Sequence, residues 1–326
     1  MATPSMAEPS TGRSRQRYDP PAMGRRDLAF RGQLWLVAAT VALAACSPAP
    51  TAVPSGNGTI APPTPPGSPG PSGLETAAPT PTGASVRAYL VLGFGGQTGL
   101  VPVIRAVPEA SAGPESAIRA LLAGPTEVEA SAQPAVRSAV PSGVELIGVD
   151  VAGGIATVNL SGQFEAATDD GLPTAMRVAQ VVYTATQFPD VEAVRIQIDG
   201  ALVTVIGPDR YPQDRPLARG DLTDQLAPLF VDEPAWGATI SSPVHVAGLA
   251  NAFEATFQLE IVDGAGRGLA MGTVTASCGT GCWGDFGVDV PFTVQAAGPG
   301  ILRVFELSPR DGSRQNERGY PVTLTP

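Results

Sequence analysis

Lysine is absent from these 326 residues, histidine occurs once and cysteine three times. All 20 basic side chains are therefore arginine. Without lysine there is no Walker A phosphate clamp, no Schiff-base amine and no Ser–Lys dyad. With His245 as the single imidazole, Ser–His–Asp chemistry would hang on one strand residue, and no G-x-S-x-G elbow presents a serine to it. Charged residues make up only 15% and aromatics 6%. The net charge is −10 with no basic cluster outside the N-terminus, so the counterion-displacing surface that nucleic acids need is missing. An acidic chain is also repelled by anionic headgroups, so membrane residence requires an anchor. No cofactor is expected, and no metal ligand set is singled out.

The N-terminus supplies the anchor. Arg25, Arg26 and Arg31 precede the short apolar run Leu34–Ala45, the form of a secretory signal. That run is about half of the ~20 residues that span a bilayer. It ends Leu43-Ala44-Ala45-Cys46-Ser47, which resembles the bacterial lipobox, with Cys46 as the lipidated residue. Residues 1–46 are thus read as signal peptide plus lipobox, with Met23 a candidate translation start. Six arginines and three acidic residues fall in this segment, so cleavage leaves the remainder more acidic still. The predicted location is extracytoplasmic, lipid-anchored to the outer face of the membrane. Residues 47–84 hold eleven prolines between Pro48 and Pro81. They cannot bury a core and form an extended, disordered tether that holds the folded part of the chain clear of the bilayer.

Beyond the tether, 43% hydrophobic residues and 326 positions allow two folded units. In 85–208, strands and helices alternate. Apolar runs at 86–92 and 100–107 flank Gly93-Phe94-Gly95-Gly96, a candidate contact loop that lacks the G-x-G-x-x-G spacing of a phosphate cradle. A helix is predicted from Pro114 to a Gly124-Pro125 stop, with Ile118, Leu121 and Leu122 on one face. A hairpin follows across Ala152-Gly153-Gly154. A second helix is predicted from about Pro173 to Gln187, striped by Met176, Ala179, Val182 and Tyr183. Asp169-Asp170-Gly171 falls short of an EF-hand loop. The expected fold is an α+β domain, two helices on a mixed or antiparallel sheet. Here Ala120-Leu121-Leu122-Ala123-Gly124-Pro125-Thr126, Ile155-Ala156-Thr157-Val158-Asn159-Leu160-Ser161 and Gln187-Phe188-Pro189 with the Asp199-Gly200 turn resemble the GerMN domain of sporulation and spore-germination proteins. The resemblance implies a non-catalytic module related to ring-building domains of envelope machinery.

After a polar connector (209–234), residues 235–326 read as all-β. Phe257, Leu259 and Ile261 alternate with Thr256, Gln258 and Glu260, one face buried and one wet. Short strands between Gly and Pro turns predict a sandwich. Ser242-Pro243-Val244, Val246-Ala247-Gly248, Phe253-Glu254 and Trp283-Gly284-Asp285-Phe286 resemble the immunoglobulin-like domain found beside GerMN in germination-type proteins. Cys278-Gly-Thr-Gly-Cys282 departs from that pattern. In an oxidising compartment the two cysteines left after lipidation are expected to form a structural disulfide. The alternatives are a redox pair, which lacks a CxxC helix N-terminus, or a metal site, for which His245 is the lone imidazole. The functional expectation is a non-enzymatic lipid-anchored envelope protein, a binding or scaffold module for extracytoplasmic assemblies in sporulation, germination or envelope maintenance. Its partners are the membrane, through Cys46, and envelope proteins; self-association is left open. The alternative classes are a cell-wall polymer hydrolase, whose paired carboxylates would be spatial rather than sequential, and a solute-binding lipoprotein.

Overall fold

Two long strands joined by a two-residue turn open the folded chain: β1 (Gly83–Phe94) and β2 (Gln97–Pro108). They pair in unbroken antiparallel register from Gly83↔Pro108 to Phe94↔Gln97. The structure is a computed structural model that describes residues 83–94, 96–168 and 171–326. The signal segment, the lipobox Leu43-Ala44-Ala45-Cys46, most of the tether, Gly95 and Asp169-Asp170 lie outside the described residues. Gly83 and Ala84, assigned by sequence to the tether, belong to β1. The seven-residue loop expected at 93–99 is likewise shorter. Thr98 and Gly99 pair with Gly93 and Leu92, so the ladder runs on to the turn.

The first domain continues with α1 (Pro114–Leu122), α2 (Glu127–Ser131), β3 (Val136–Arg137), β4 (Leu146–Ala152), β5 (Ile155–Leu160), α3 (Thr174–Ala185), β6 (Ala193–Ile198), β7 (Ala201–Leu202), β8 (Val205–Ile206) and β9 (Tyr211–Pro212). Pro114 at the first helical position starts α1, and Gly124, with φ +73°, ends the turn after it. Ala117, Ile118 and Leu121 face the core. The unpredicted α2 is set by a capping box: the Thr126 N–H donates to Glu129 Oε2 at 2.8 Å, and the Glu129 N–H to Thr126 Oγ1 at 3.3 Å. Arg105 fixes the same carboxylate with two donors at 2.7 and 2.6 Å.

The expectation of two helices on one sheet needs correction. Among the described residues there are three α-helices and separate ladders, β2-β1-β3, the mixed β4-β5-β6-β7 and the short β8-β9. The cause lies on the free edge of β1. Side chains of α3 and its C-terminal turn occupy the backbone groups where another strand would pair. Thr184 Oγ1 accepts from the Tyr89 N–H at 3.1 Å, and Gln180 Nε2 donates to the Tyr89 carbonyl at 2.9 Å. Gln187 accepts from the Arg87 N–H and donates to its carbonyl, at 2.8 and 2.7 Å. Helix side chains thus cover an edge that would otherwise recruit a strand. They are also why α3 is buried on nearly every face rather than along one stripe. Its buried Arg177 donates to the Phe164 and Ala166 carbonyls at 2.7 and 2.6 Å.

A 3₁₀ segment, Arg219–Gln225, leads into the second domain: β10 (Leu229–Glu233), β11 (Thr239–Ile240), β12 (Val244–Ala250), β13 (Thr256–Asp263), β14 (Gly268–Thr275), β15 (Gly284–Val290), β16 (Gly298–Leu307) and β17 (Arg314–Leu324). Three strands, β10-β12-β15, face five, β11-β17-β16-β13-β14, giving a sandwich. The alternation at Phe257, Leu259 and Ile261 is buried as expected. Phe257 meets Phe286 of the opposite sheet edge-to-face at 4.9 Å, and burying each such ring contributes about 1.5–3 kcal/mol. The start of this domain also needs correction. Leu229–Glu233, assigned to the connector, is the edge strand of its smaller sheet, because Phe230 and Val231 pair with Leu249 and Gly248. The described chain as a whole is mostly β with few helices.

Candidate functional site

The connector residue Arg219 organises the boundary between the domains. Its guanidinium lies 5.1 Å from the ring centroid of Tyr89 and 4.8 Å from that of Tyr183, cation–π geometry on two faces. Each of its three nitrogens donates. Nη1 reaches Asp232 Oδ2 at 2.8 Å, Nη2 the Tyr89 hydroxyl at 2.9 Å and the Tyr183 carbonyl at 3.0 Å, and Nε the Thr186 hydroxyl at 2.9 Å. The Tyr89 hydroxyl donates to the other Asp232 oxygen. β1, α3, the connector and β10 therefore meet in one network. Burial, reinforced by Asp232, pushes the Tyr89 hydroxyl well above its usual range, and burial does the same to Tyr183. Burial opposes the Arg219 charge, but Tyr89 and Asp232 outweigh it and the net shift is upward. Phe230 closes the aromatic cluster, 5.9 Å from Tyr183 and edge-on to it.

The second domain also grips the outer edge of β2. The Trp236 N–H donates to the Pro102 carbonyl at 2.8 Å. Arg318, buried, donates to the Leu92 and Leu100 carbonyls at 3.3 and 3.4 Å, and Gln97 bonds Asn316. A Cβ on Gly99 would lie 2.4 Å from the Ala227 nitrogen, so glycine there is what lets the connector pass. The neighbours of the candidate loop Gly93–Gly96 are thus engaged within the chain.

Beside this junction runs a groove of about 630 Å³ between the 3₁₀ connector and the outer face of β10-β12-β15. Gly220 and Thr223 form one wall, Phe230 and Leu249 the floor, and Trp283 and Asp285 the far side. A second hollow of about 490 Å³ continues past Glu233 toward Phe188 and His245.

Of the residues singled out in the sequence, the structure brings one pair together. Cys278 and Cys282 are joined, with Cα atoms 5.9 Å apart. Their loop is tied to the β12–β13 connection by the Thr280 N–H on the Ala252 carbonyl at 2.8 Å and the Gly281 N–H on Asn251 Oδ1 at 2.9 Å. His245 is exposed and its Nδ1 lies 2.8 Å from Asp289 Oδ1, directly across the β12–β15 pair. Gly93 and Phe94 lie in β1 at the hairpin tip, with Gly96 in the turn. Among the described residues no cluster of His, Cys, Asp or Glu suits a metal ion, and no helix is long and apolar enough to cross a membrane. Sequence reasoning missed Arg219, Asp232 and Tyr89. Nothing local marks an arginine in a polar connector; the one hint is that scarce aromatics recur at 89, 183 and 230.

The family models align with these two folded units. The model for sporulation and spore germination, Germane, matches residues 88–204, and the immunoglobulin-like domain of bacterial spore germination, Gmad2, matches 229–313. The chain carries a Germane domain followed by a Gmad2 domain. Among solved structures, the tandem GerMN domains of the sporulation protein GerM from Bacillus subtilis align at 18% identity. That alignment covers 44% of this chain and 49% of that one, with a TM-score of 0.35. The first GerMN domain of the same protein aligns at 21% identity over 42% of this chain and 99% of that one, TM-score 0.33. A putative lipoprotein from Clostridium perfringens aligns at 17% over 44% and 93%, TM-score 0.30. This chain spans about half the length of the tandem GerMN structure. No curated protein matches it. The start of the Gmad2 match at Leu229 coincides with the first residue of β10, and the Arg219 network lies in the stretch between the two matches.

Proposed function

We propose that this chain is a non-enzymatic, lipid-anchored envelope protein whose Germane–Gmad2 unit is a binding and scaffold module for extracytoplasmic assemblies in sporulation, germination or envelope maintenance. The observation that carries the reading is the junction. Arg219, Tyr89, Tyr183 and Asp232 lock the two domains through charge-assisted hydrogen bonds and cation–π contacts, so the pair is presented as one rigid surface. Rigid presentation lowers the ordering cost of association. The lipobox ending in Cys46 and the proline-rich tether support attachment to the outer face of the membrane, with the folded unit held away from it. The partners are envelope proteins, and the Gly93–Gly96 turn is a candidate contact.

Crosslinking in intact cells, then recovery of the protein and mass spectrometry, tests this. A reproducible envelope partner that is lost when residues 85–208 are deleted is the expected outcome. Efficient crosslinking that recovers only the protein itself overturns the scaffold reading.

A further inference from the structure

The groove beside the junction has a composition that selects a ligand class. We propose that it binds an uncharged, hydroxyl-rich glycan segment, with Trp283 as the stacking platform and Asp285 as the principal hydrogen-bond acceptor. The inference builds on the reading of the junction as a rigid surface and adds what that surface holds.

Charge is the first argument. The groove contains Arg219, Asp232 and Glu233, but these are spent on one another and on their neighbours. Arg219 meets Asp232 at 2.8 Å, and Arg87 meets Glu233 at 2.7 Å. Asp285 is exposed, and its carboxylate makes no hydrogen bond or ion pair to a described side chain. A site so nearly balanced has little attraction for a polycation and none for a polyanion. Selection then rests on stacking and hydrogen bonds. The second argument is shape. The cleft is partly open to solvent and holds about 630 Å³, and Gly220 leaves one side without a side chain, so there is room for sugar rings beside Trp283. The third is the placement of the indole. Trp283 is half-buried and directly succeeds Cys282, and the disulfide and the bonds to Ala252 and Asn251 hold that loop in position. A preset aromatic face matches the apolar C–H face of a pyranose, while Asp285 and the Thr223 hydroxyl are available to ring hydroxyls. In register, Asp285 stands opposite Leu249, which itself stands opposite Phe230. Acceptor and apolar floor thus lie side by side across the sheet.

The test is isothermal titration calorimetry on the full chain in detergent, with tri-N-acetylchitotriose, maltotriose and trilysine as probes. Saturable binding of either oligosaccharide, with a Kd of about 1 mM or tighter, is the expected result. Trp283→Leu keeps an apolar side chain at the site but removes the aromatic face, and is expected to weaken binding at least about tenfold, the size of a lost anchor. Asp285→Asn should weaken it several-fold. Gly220→Leu covers the case in which Trp283 variants misfold, because a Cβ there meets nothing within 4 Å. It adds a side chain where there is open space, narrows the groove and should weaken binding. No saturable heat with either sugar, undiminished binding in Gly220→Leu, or a response to trilysine alone overturns the proposal. Partner recovery in cells is a separate readout. A protein that still captures its envelope partner but binds no oligosaccharide loses this inference and keeps the scaffold function.

Discussion

Arg219 and Tyr183 hold each other reciprocally: the guanidinium lies 4.8 Å over the phenol ring, and the Tyr183 hydroxyl donates back to the Arg219 carbonyl at 3.2 Å. Side chain and main chain of one connector residue are thus both fixed by a helix of the first domain, while its Nη1 holds Asp232 of the second. Arg219→Met removes the ion pair and leaves Asp232 with Tyr89 as its remaining side-chain partner. Equilibrium urea unfolding should show a loss of about 2–3 kcal/mol, the range for hydrogen bonds to charged groups. The double variant Arg219→Met with Asp232→Leu should lose less than the sum of the singles, because neither charge is then left unpaired.

Gly99→Ala places a methyl group against main chain, 2.4 Å from the Ala227 nitrogen. Neither side can yield by rotating a side chain. The expected cost is about 1–3 kcal/mol, concentrated at the boundary. Limited proteolysis should speed up between residues 209 and 228 while far-UV circular dichroism is unchanged. Unaltered cleavage would show that the connector has room to shift.

Cys278→Ser with Cys282→Ser opens a loop of only four-residue separation, so stability should fall by about 2 kcal/mol on the chain-entropy estimate. The same loop positions Trp283, so tryptophan emission should also change on reduction. A melting point unmoved by reductant would show that the contacts of Gly281 with Asn251 and Thr280 with Ala252 suffice by themselves.

Acid and alkali should each find a different weak point. Hydrogen bonds from Arg215 hold Asp221 down to about 2. Burial alone would raise Glu129, but Arg105 and the Thr126 N–H reverse it and the net shift is downward. A depressed carboxylate stabilises the fold above its unfolded value of about 4 and loses that contribution as pH falls through the folded value. Stability should therefore decline between about pH 4 and 2. The tyrosines act at the other end. Buried Tyr89 and Tyr183 are raised from 10.0, so their contribution is intact below pH ~10 and lost as pH climbs beyond it. Phenolate absorbance should show these two ionising only together with unfolding, after the more exposed Tyr211.

Cys46→Ser tests the anchor directly. The variant should lose incorporation of labelled fatty acid and leave the lipid-modified membrane fraction, while its folded unit melts as before. Continued labelling would place the lipid elsewhere.

Local patterning made several elements legible. Phe257, Leu259 and Ile261 alternate, and all three are buried in β13. Pro114 and Gly124 bracket α1, and Met176, Ala179 and Val182 are buried in α3, although burial there extends to nearly every face. These are short-range signals, written in spacings of two to four residues by strand pleat and helix pitch. The order of the two domains was legible as well, because their turn and strand motifs occur in sequence. Tertiary structure alone decided that α3 side chains, rather than another strand, cover the edge of β1, and that Leu229–Glu233 belongs to the second sheet. It also brought Arg219 onto Tyr89, 130 residues away, and set Trp283 and Asp285 beside Gly220 in one groove. Contacts at that separation leave no periodicity in the chain. They exist because two preformed surfaces bury their aromatic and charged groups against each other, and that complementarity arises only once both domains have folded.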